Sequence, residues 1–197
     1  MYKKQLRFQK IICIVCIIAA AIMFLYSLGM LTDIYEGLYS VTDPKKPTED
    51  GWVPGASIYY QMQAFNTQFV NVSVGLILLA ALMFVMNTQI RRKYYIGNYV
   101  AIGLFSVASV ATVIWSHINI VAYRHQYLTT VDFDALKEIC DIMGMPYVKS
   151  TFMLDLHYAP AAILLLAVAA LVGNMIWKIV LMRGEKKLLA VGKEVAV

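Results

Sequence analysis

The sequence predicts an all-α integral membrane protein with four transmembrane helices, arranged as two consecutive hairpins. About 20 apolar helical residues cross a hydrocarbon core about 30 Å thick, and four stretches of this chain are apolar enough and long enough to do so. They lie at 11–31, 69–87, 98–123 and 157–182. Since hydrophobic residues make up 60% of the 197 residues, we expect a single four-helix membrane domain over 1–197 and no soluble domain.

Basic residues are concentrated at one end of each apolar stretch. Twelve of the 17 lysines and arginines lie before the first stretch, between the second and third, or at and after the end of the fourth. The two long connections, 32–68 and 124–156, hold the other five and ten of the twelve acids. By the positive-inside rule, both termini are cytoplasmic and the long connections are outer loops. We therefore expect a multi-pass plasma-membrane protein whose net charge of +5 reflects topology and gives no support to nucleic-acid binding.

The predicted spans contain no aspartate or glutamate, and their polar residues include hydroxyls, amides and histidine. Intramembrane carboxylates mark most proton and ion pathways, so a pump is disfavoured. Hydroxyls and small residues also let helices approach and hydrogen-bond, so we predict helix packing by Ser106, Ser109, Thr112, Ser116 and Asn119 of the third span and Ala169, Gly173 and Asn174 of the fourth. The alternative function for the third-span face is the lining of a small oligomeric channel or carrier.

A short amphipathic helix is predicted in the second outer loop. Asp132 is a candidate N-cap, and Gly144 followed by Pro146 supplies the stop. Between them, an apolar stripe is formed by Phe133, Leu136, Ile139 and Met143. A helix of eleven residues is marginal in water, so the stripe must be buried on the rim of the bundle, on lipid headgroups or on a partner. The four stripe residues are therefore candidates for partner docking.

Catalytic, cofactor-binding and metal-binding residues are not predicted. Cys13 and Cys16 have redox spacing, but they lie in the first span near its cytoplasmic end, where a thiolate does not form readily. The histidines at 117, 125 and 157 lack the spacing of a metal-ligand set. We expect a protein that is not an enzyme, and a membrane thiol or quinone oxidoreductase is the least supported alternative.

Four segments carry a resemblance to known sequences: 58–66, 91–99, 152–155 and 179–188. Through them the chain resembles a group of four-span membrane proteins of Gram-positive, Clostridia-like bacteria that occur beside components of carbohydrate ABC transporters. The resemblance implies a non-enzymatic accessory subunit, possible partners being a transporter permease or a second copy. It transfers no functional residue.

Overall fold

The computed structural model describes residues 2–31, 36–42, 45, 46, 49–88 and 96–194. The described residues contain helices and no strand, which confirms the all-α prediction. The helices are α1 (Tyr2–Leu31), α2 (Glu36–Val41), α3 (Ile58–Thr88), α4 (Ile96–Thr130), α5 (Phe133–Met143), α6 (Phe152–Asp155) and α7 (Tyr158–Glu194).

Four segments are long and apolar enough to cross a membrane, as predicted. By length and composition they are Lys4–Leu31, Ile58–Thr88, Ile96–Thr130 and Phe152–Gly184. This supports a multi-pass membrane protein. The pairing into two hairpins and the orientation remain predictions, and the basic residues Arg91, Arg92 and Lys93 lie outside the described residues.

The long helices extend beyond the apolar stretches of the sequence, and in α3 the extension is stabilised by packing. α3 begins at Ile58, about three turns before the apolar stretch at 69. Along this extension Ile58, Met62 and Phe65 are buried at a spacing of three or four. One buried face is enough to stabilise a helix whose other positions are polar, so hydropathy marks only part of each helix.

The chain divides into two compact units. Unit 1 comprises Met1–Ala21, Leu76–Val110 and Ala162–Val197, and unit 2 comprises Ile22–Gly75 and Ala111–Ala161. Small and medium side chains dominate the core of unit 1. The fully enclosed apolar side chains of unit 1 are Cys13, Cys16 and Ala20 of α1, Ala80 and Met83 of α3, Phe105 of α4 and Leu164 and Leu171 of α7.

The core of unit 2 contains a cluster of aromatic rings. Phe69 is completely buried, stacks on Phe65 at 5.7 Å and meets the edge of Tyr26 at 6.0 Å. Trp115 and Tyr123 of α4 contact Phe65 at 5.1 and 5.5 Å. Such ring pairs add to the burial term, so this cluster holds the parts of α1, α3 and α4 in unit 2 together.

Candidate functional site

Loop 49–57 of unit 2 is held against α2 and the end of α4 by backbone contacts. The Trp52 amide donates to the Val41 carbonyl at 3.3 Å, and the Asp132 amide donates to the Pro54 carbonyl at 3.0 Å. Gly51 and Gly55 have φ values of 64° and 80°, a region that other residues rarely adopt. A β-carbon at Gly55 would lie 2.2 Å from the Thr130 carbonyl oxygen, so the close approach requires glycine.

Asp50 fixes the start of α3 from the same loop. The Ser57 hydroxyl donates to Asp50 Oδ1 at 2.6 Å. This hydrogen bond, with a smaller contribution from the Gly55 backbone, lowers the pKa of the Asp50 carboxyl. An ionised Asp50 therefore faces a shallow cleft of about 380 Å³ whose lining includes Gln126 and Thr130.

Helix α5 follows directly and has well-defined ends. The Asp132 carboxylate accepts hydrogen bonds from the amides of Asp134 and Ala135, both at 3.1 Å. Gly144 is left-handed, and its amide donates to the Cys140 carbonyl. These are the N-cap and C-cap interactions that stabilise short helices.

One face of α5 packs inside unit 2. α5 contacts α2, and Phe133, Leu136 and Cys140 are buried. Phe133 also meets the Tyr127 ring edge-on at 5.1 Å, and Lys149 Nζ lies 4.4 Å from the centroid of the Phe133 ring. Two of the four docking candidates, Phe133 and Leu136, therefore face the interior.

A second apolar row of α5 is left uncovered. Ile142 is 77% exposed and Met143 is 43% exposed, while Ala135 and Ile139 are half-buried. We call these four residues the α5 strip. Because successive residues are about 100° apart on a helix, the strip lies beside the buried face. The docking candidates Ile139 and Met143 belong to it, and Ile142 is added to them.

An acidic row runs along the other side of the α5 strip. Asp134, Glu138 and Asp141 are exposed, and none forms an ion pair with another described residue. Their field reaches neighbouring groups. Burial raises the pKa of the Tyr147 hydroxyl, and Asp134 adds to the shift; burial likewise raises the pKa of the Cys140 thiol, with Asp141 adding.

Unit 1 contains a buried polar cluster that the hydropathy pattern does not reveal. Gln5 Nε2 donates to Gln9 Oε1 at 3.3 Å and to Asn174 Oδ1 at 3.4 Å, and Asn174 Nδ2 donates to Gln9 Oε1. Lys178, one turn after Asn174, is only 3% exposed, and its Nζ lies 5.4 Å from the Tyr99 ring centroid. The sequence carries one signal of this cluster: polar residues recur four positions apart at 5 and 9 and at 174 and 178, which places each pair on one face of its helix.

The helix-packing candidates divide between buried and exposed positions. Ser109, Thr112, Ser116 and Asn174 are buried, Ser106 and Asn119 are half-buried, and Ala169 and Gly173 are exposed. A β-carbon at Gly173 would meet no atom within 4 Å. The close helix contact expected at Gly173 is therefore not found among the described residues. Gly173 is about 100° from the buried Asn174 on the helix, which places it outside the packed face.

Several hydroxyl and amide groups bond their own helix instead of a neighbour. Ser116 Oγ donates to the Val113 carbonyl at 3.2 Å, and Asn119 Nδ2 donates to the Trp115 carbonyl at 2.8 Å. Their contribution to helix association is therefore packing rather than interhelical hydrogen bonding.

Two histidines that are distant in sequence meet in unit 2. His117 Nδ1 lies 2.9 Å from His157 Nε2, and His157 Nδ1 lies 2.6 Å from the Leu154 carbonyl oxygen. Because that carbonyl can only accept, His157 Nδ1 donates to it. In the neutral ring of His157, Nε2 then accepts from His117 Nδ1. His125 is exposed. Within the described residues, no three histidines, cysteines or carboxylates converge in a way that could hold a metal.

The cysteines are free and buried. Cys13 and Cys16 are completely enclosed in unit 1, and Cys140 is enclosed in unit 2. Cys16 Sγ lies 3.7 Å from the Ala167 carbonyl oxygen, and Cys13 Sγ accepts from Gln9 Nε2 at 3.8 Å. All three thiols fill space in their respective cores.

Comparisons with protein-family models, with curated proteins and with solved structures gave no match. Among the described features, the α5 strip is an ordered apolar surface that packing within unit 2 leaves partly exposed.

Proposed function

We propose that this protein is a non-enzymatic accessory or interaction subunit of a membrane complex. The observation that supports the proposal is the α5 strip. Its helix is capped at both ends and anchored by its buried face, yet Ile142 is 77% exposed. Large apolar side chains presented together on an ordered surface outside a membrane span are typical of interaction sites.

The partner we propose is another membrane protein. The sequence resemblance suggests a permease of a carbohydrate ABC transporter, and self-association is the alternative. Four spans are too few for a permease, and the predicted cytoplasmic loop between the second and third spans is too short to dock an ATPase. A supporting subunit fits both features.

Orientation is part of the same proposal, because the α5 strip must face a partner outside the cell. Single cysteines replacing Lys46 and Thr130 should react with an impermeant thiol reagent in intact cells. Cysteines replacing Arg92 and Lys187 should react only after the membrane is permeabilised. Labelling of the second pair in sealed cells would reverse the orientation given by the basic residues.

Partner recovery tests the proposed function. The protein, tagged and expressed in its native host, is purified in mild detergent, and the co-purifying membrane proteins are quantified by mass spectrometry. Ile142→Gln with Met143→Gln should reduce recovery of the partner about tenfold, as expected for loss of central interface side chains. Glutamine keeps good helix propensity and leaves the net charge unchanged, so α5 should stay folded.

Lys137→Gln provides the matched control, since it places the same side chain on the opposite, exposed side of α5. It should leave recovery at the wild-type level. Equal recovery with the double variant and with wild type, or no stoichiometric partner at all, would contradict the proposed function.

A small channel or carrier is the second candidate, and one observation favours it. The hydroxyls of Ser106 and Ser109 on α4 have no hydrogen-bond partner among the described residues. Unpaired hydroxyls inside a helix bundle are the kind of group that lines a hydrophilic path. Ser109 is, however, completely enclosed, so we place this function second.

A further inference from the structure

The α5 strip and the acidic row form one composite surface. Glu138 lies one turn before Ile142, and Asp134 lies one turn before Glu138, so these positions are neighbours on the helix. Asp141 lies beside Ile142. A molecule that covers Ile142 therefore comes within reach of at least two carboxylates, and what it places opposite them determines whether it binds.

We infer that the α5 strip binds an apolar surface of a second protein that is bordered by lysines or arginines. This inference rests on the proposed function and names the chemistry of its partner. Opposite charges at the border of an interface steer association and set its register, whereas like charges in contact are penalised. Three exposed carboxylates without a described ionic partner therefore select a basic border.

The same charges argue against the two other occupants. An anionic lipid surface attracts basic segments and repels acidic ones, so the acidic row keeps α5 away from such a bilayer. A symmetric pair of copies would present the same patch from both sides, so neither copy would offer the other a basic border, and an antiparallel pair of α5 helices would bring two acidic rows close together. A different protein with a basic border is repelled neither as an anionic lipid surface is nor as a second acidic row is.

Photo-crosslinking of the full-length protein in native membranes tests this inference. A benzophenone amino acid replaces Ile142, and in a matched control it replaces Lys137. We expect a protein adduct from position 142 only, with lysine or arginine residues in the crosslinked peptide or next to it. Raising the salt from about 50 to about 500 mM should lower the adduct yield roughly three- to tenfold, because surface charges are screened.

The variant Asp134→Asn with Glu138→Gln and Asp141→Asn, in the same crosslinking background, isolates the acidic row. At low salt this variant should already give the reduced adduct yield that the parent protein shows at high salt. Adding salt should then change its yield little. A salt-independent yield in the parent protein overturns the inference, as does an adduct with lipid only, with a second copy only, or with no molecule.

The two proposals can fail separately. The glutamine variant at Ile142 and Met143 could lose the partner while the crosslinking yield of the parent protein does not change with salt. In that case the proposed subunit function stands, and the inference that the partner has a basic border is wrong. If no partner depends on the α5 strip, both fail.

Discussion

Gly55→Ala is expected to destabilise unit 2 by about 3 kcal/mol or more, since left-handed backbone strain and a backbone collision add. The new β-carbon would lie 2.2 Å from the Thr130 carbonyl oxygen and 2.8 Å from the Val131 amide nitrogen. Both neighbours are backbone atoms, so the collision can be relieved only by moving loop 49–57 away from the end of α4. Hydrogen exchange should rise in both segments, and the melting temperature in detergent should fall.

Gly173→Ala is the matched control. A β-carbon there meets open space, and alanine is the better helix former by about 0.5–1 kcal/mol. Its melting temperature should equal or slightly exceed that of the wild type. A loss of stability comparable to that of Gly55→Ala would mean that Gly173 contacts another helix, as the spacing of small residues suggests.

Leu136→Asp should release α5 from α2. Leu136 is 2% exposed, and truncating such a side chain alone costs about 2–5 kcal/mol. A carboxylate in its place must also be desolvated, which adds to the cost. We expect trypsin to cut rapidly at Lys137 and Lys149, together with loss of the partner.

The comparison with the glutamine variant at Ile142 and Met143 separates folding from docking. That variant should resist trypsin like the wild type and lose only the partner. If Leu136→Asp also keeps wild-type resistance, the buried face of α5 does not hold the helix in place, and the proposed docking surface loses its support.

Elements with local signals were predictable. The four long helices follow from hydropathy. The ends of α5 coincide with the cap residues Asp132 and Gly144, because capping depends on residues within one turn of the helix end. The extension of α3 to Ile58 is explained by the buried spacing of Ile58, Met62 and Phe65. The exact length of α3 was harder to predict from the sequence, because helical hydrogen bonds continue through polar residues wherever one face of the helix is covered.

The candidate site was only partly predictable. The spacing places Phe133, Leu136, Ile139 and Met143 on one broad side of α5, but it does not say which part of that side α2 covers. Ile142 was missed for this reason. The contact of His117, on α4, with His157, in the turn before α7, joins residues that are 40 positions apart, and no local pattern carries that information.

The sequence by itself determined that the chain is helical, which four segments can span a membrane, and where α5 begins and ends. Only the tertiary structure decided which helix faces are covered. Asn174 is buried while Ala169 and Gly173 are exposed, although the sequence proposes all three as helix-packing residues. The reason is physical: lipid tails are as apolar as a protein core, so apolar periodicity in a membrane helix does not distinguish a face that meets another helix from one that meets lipid.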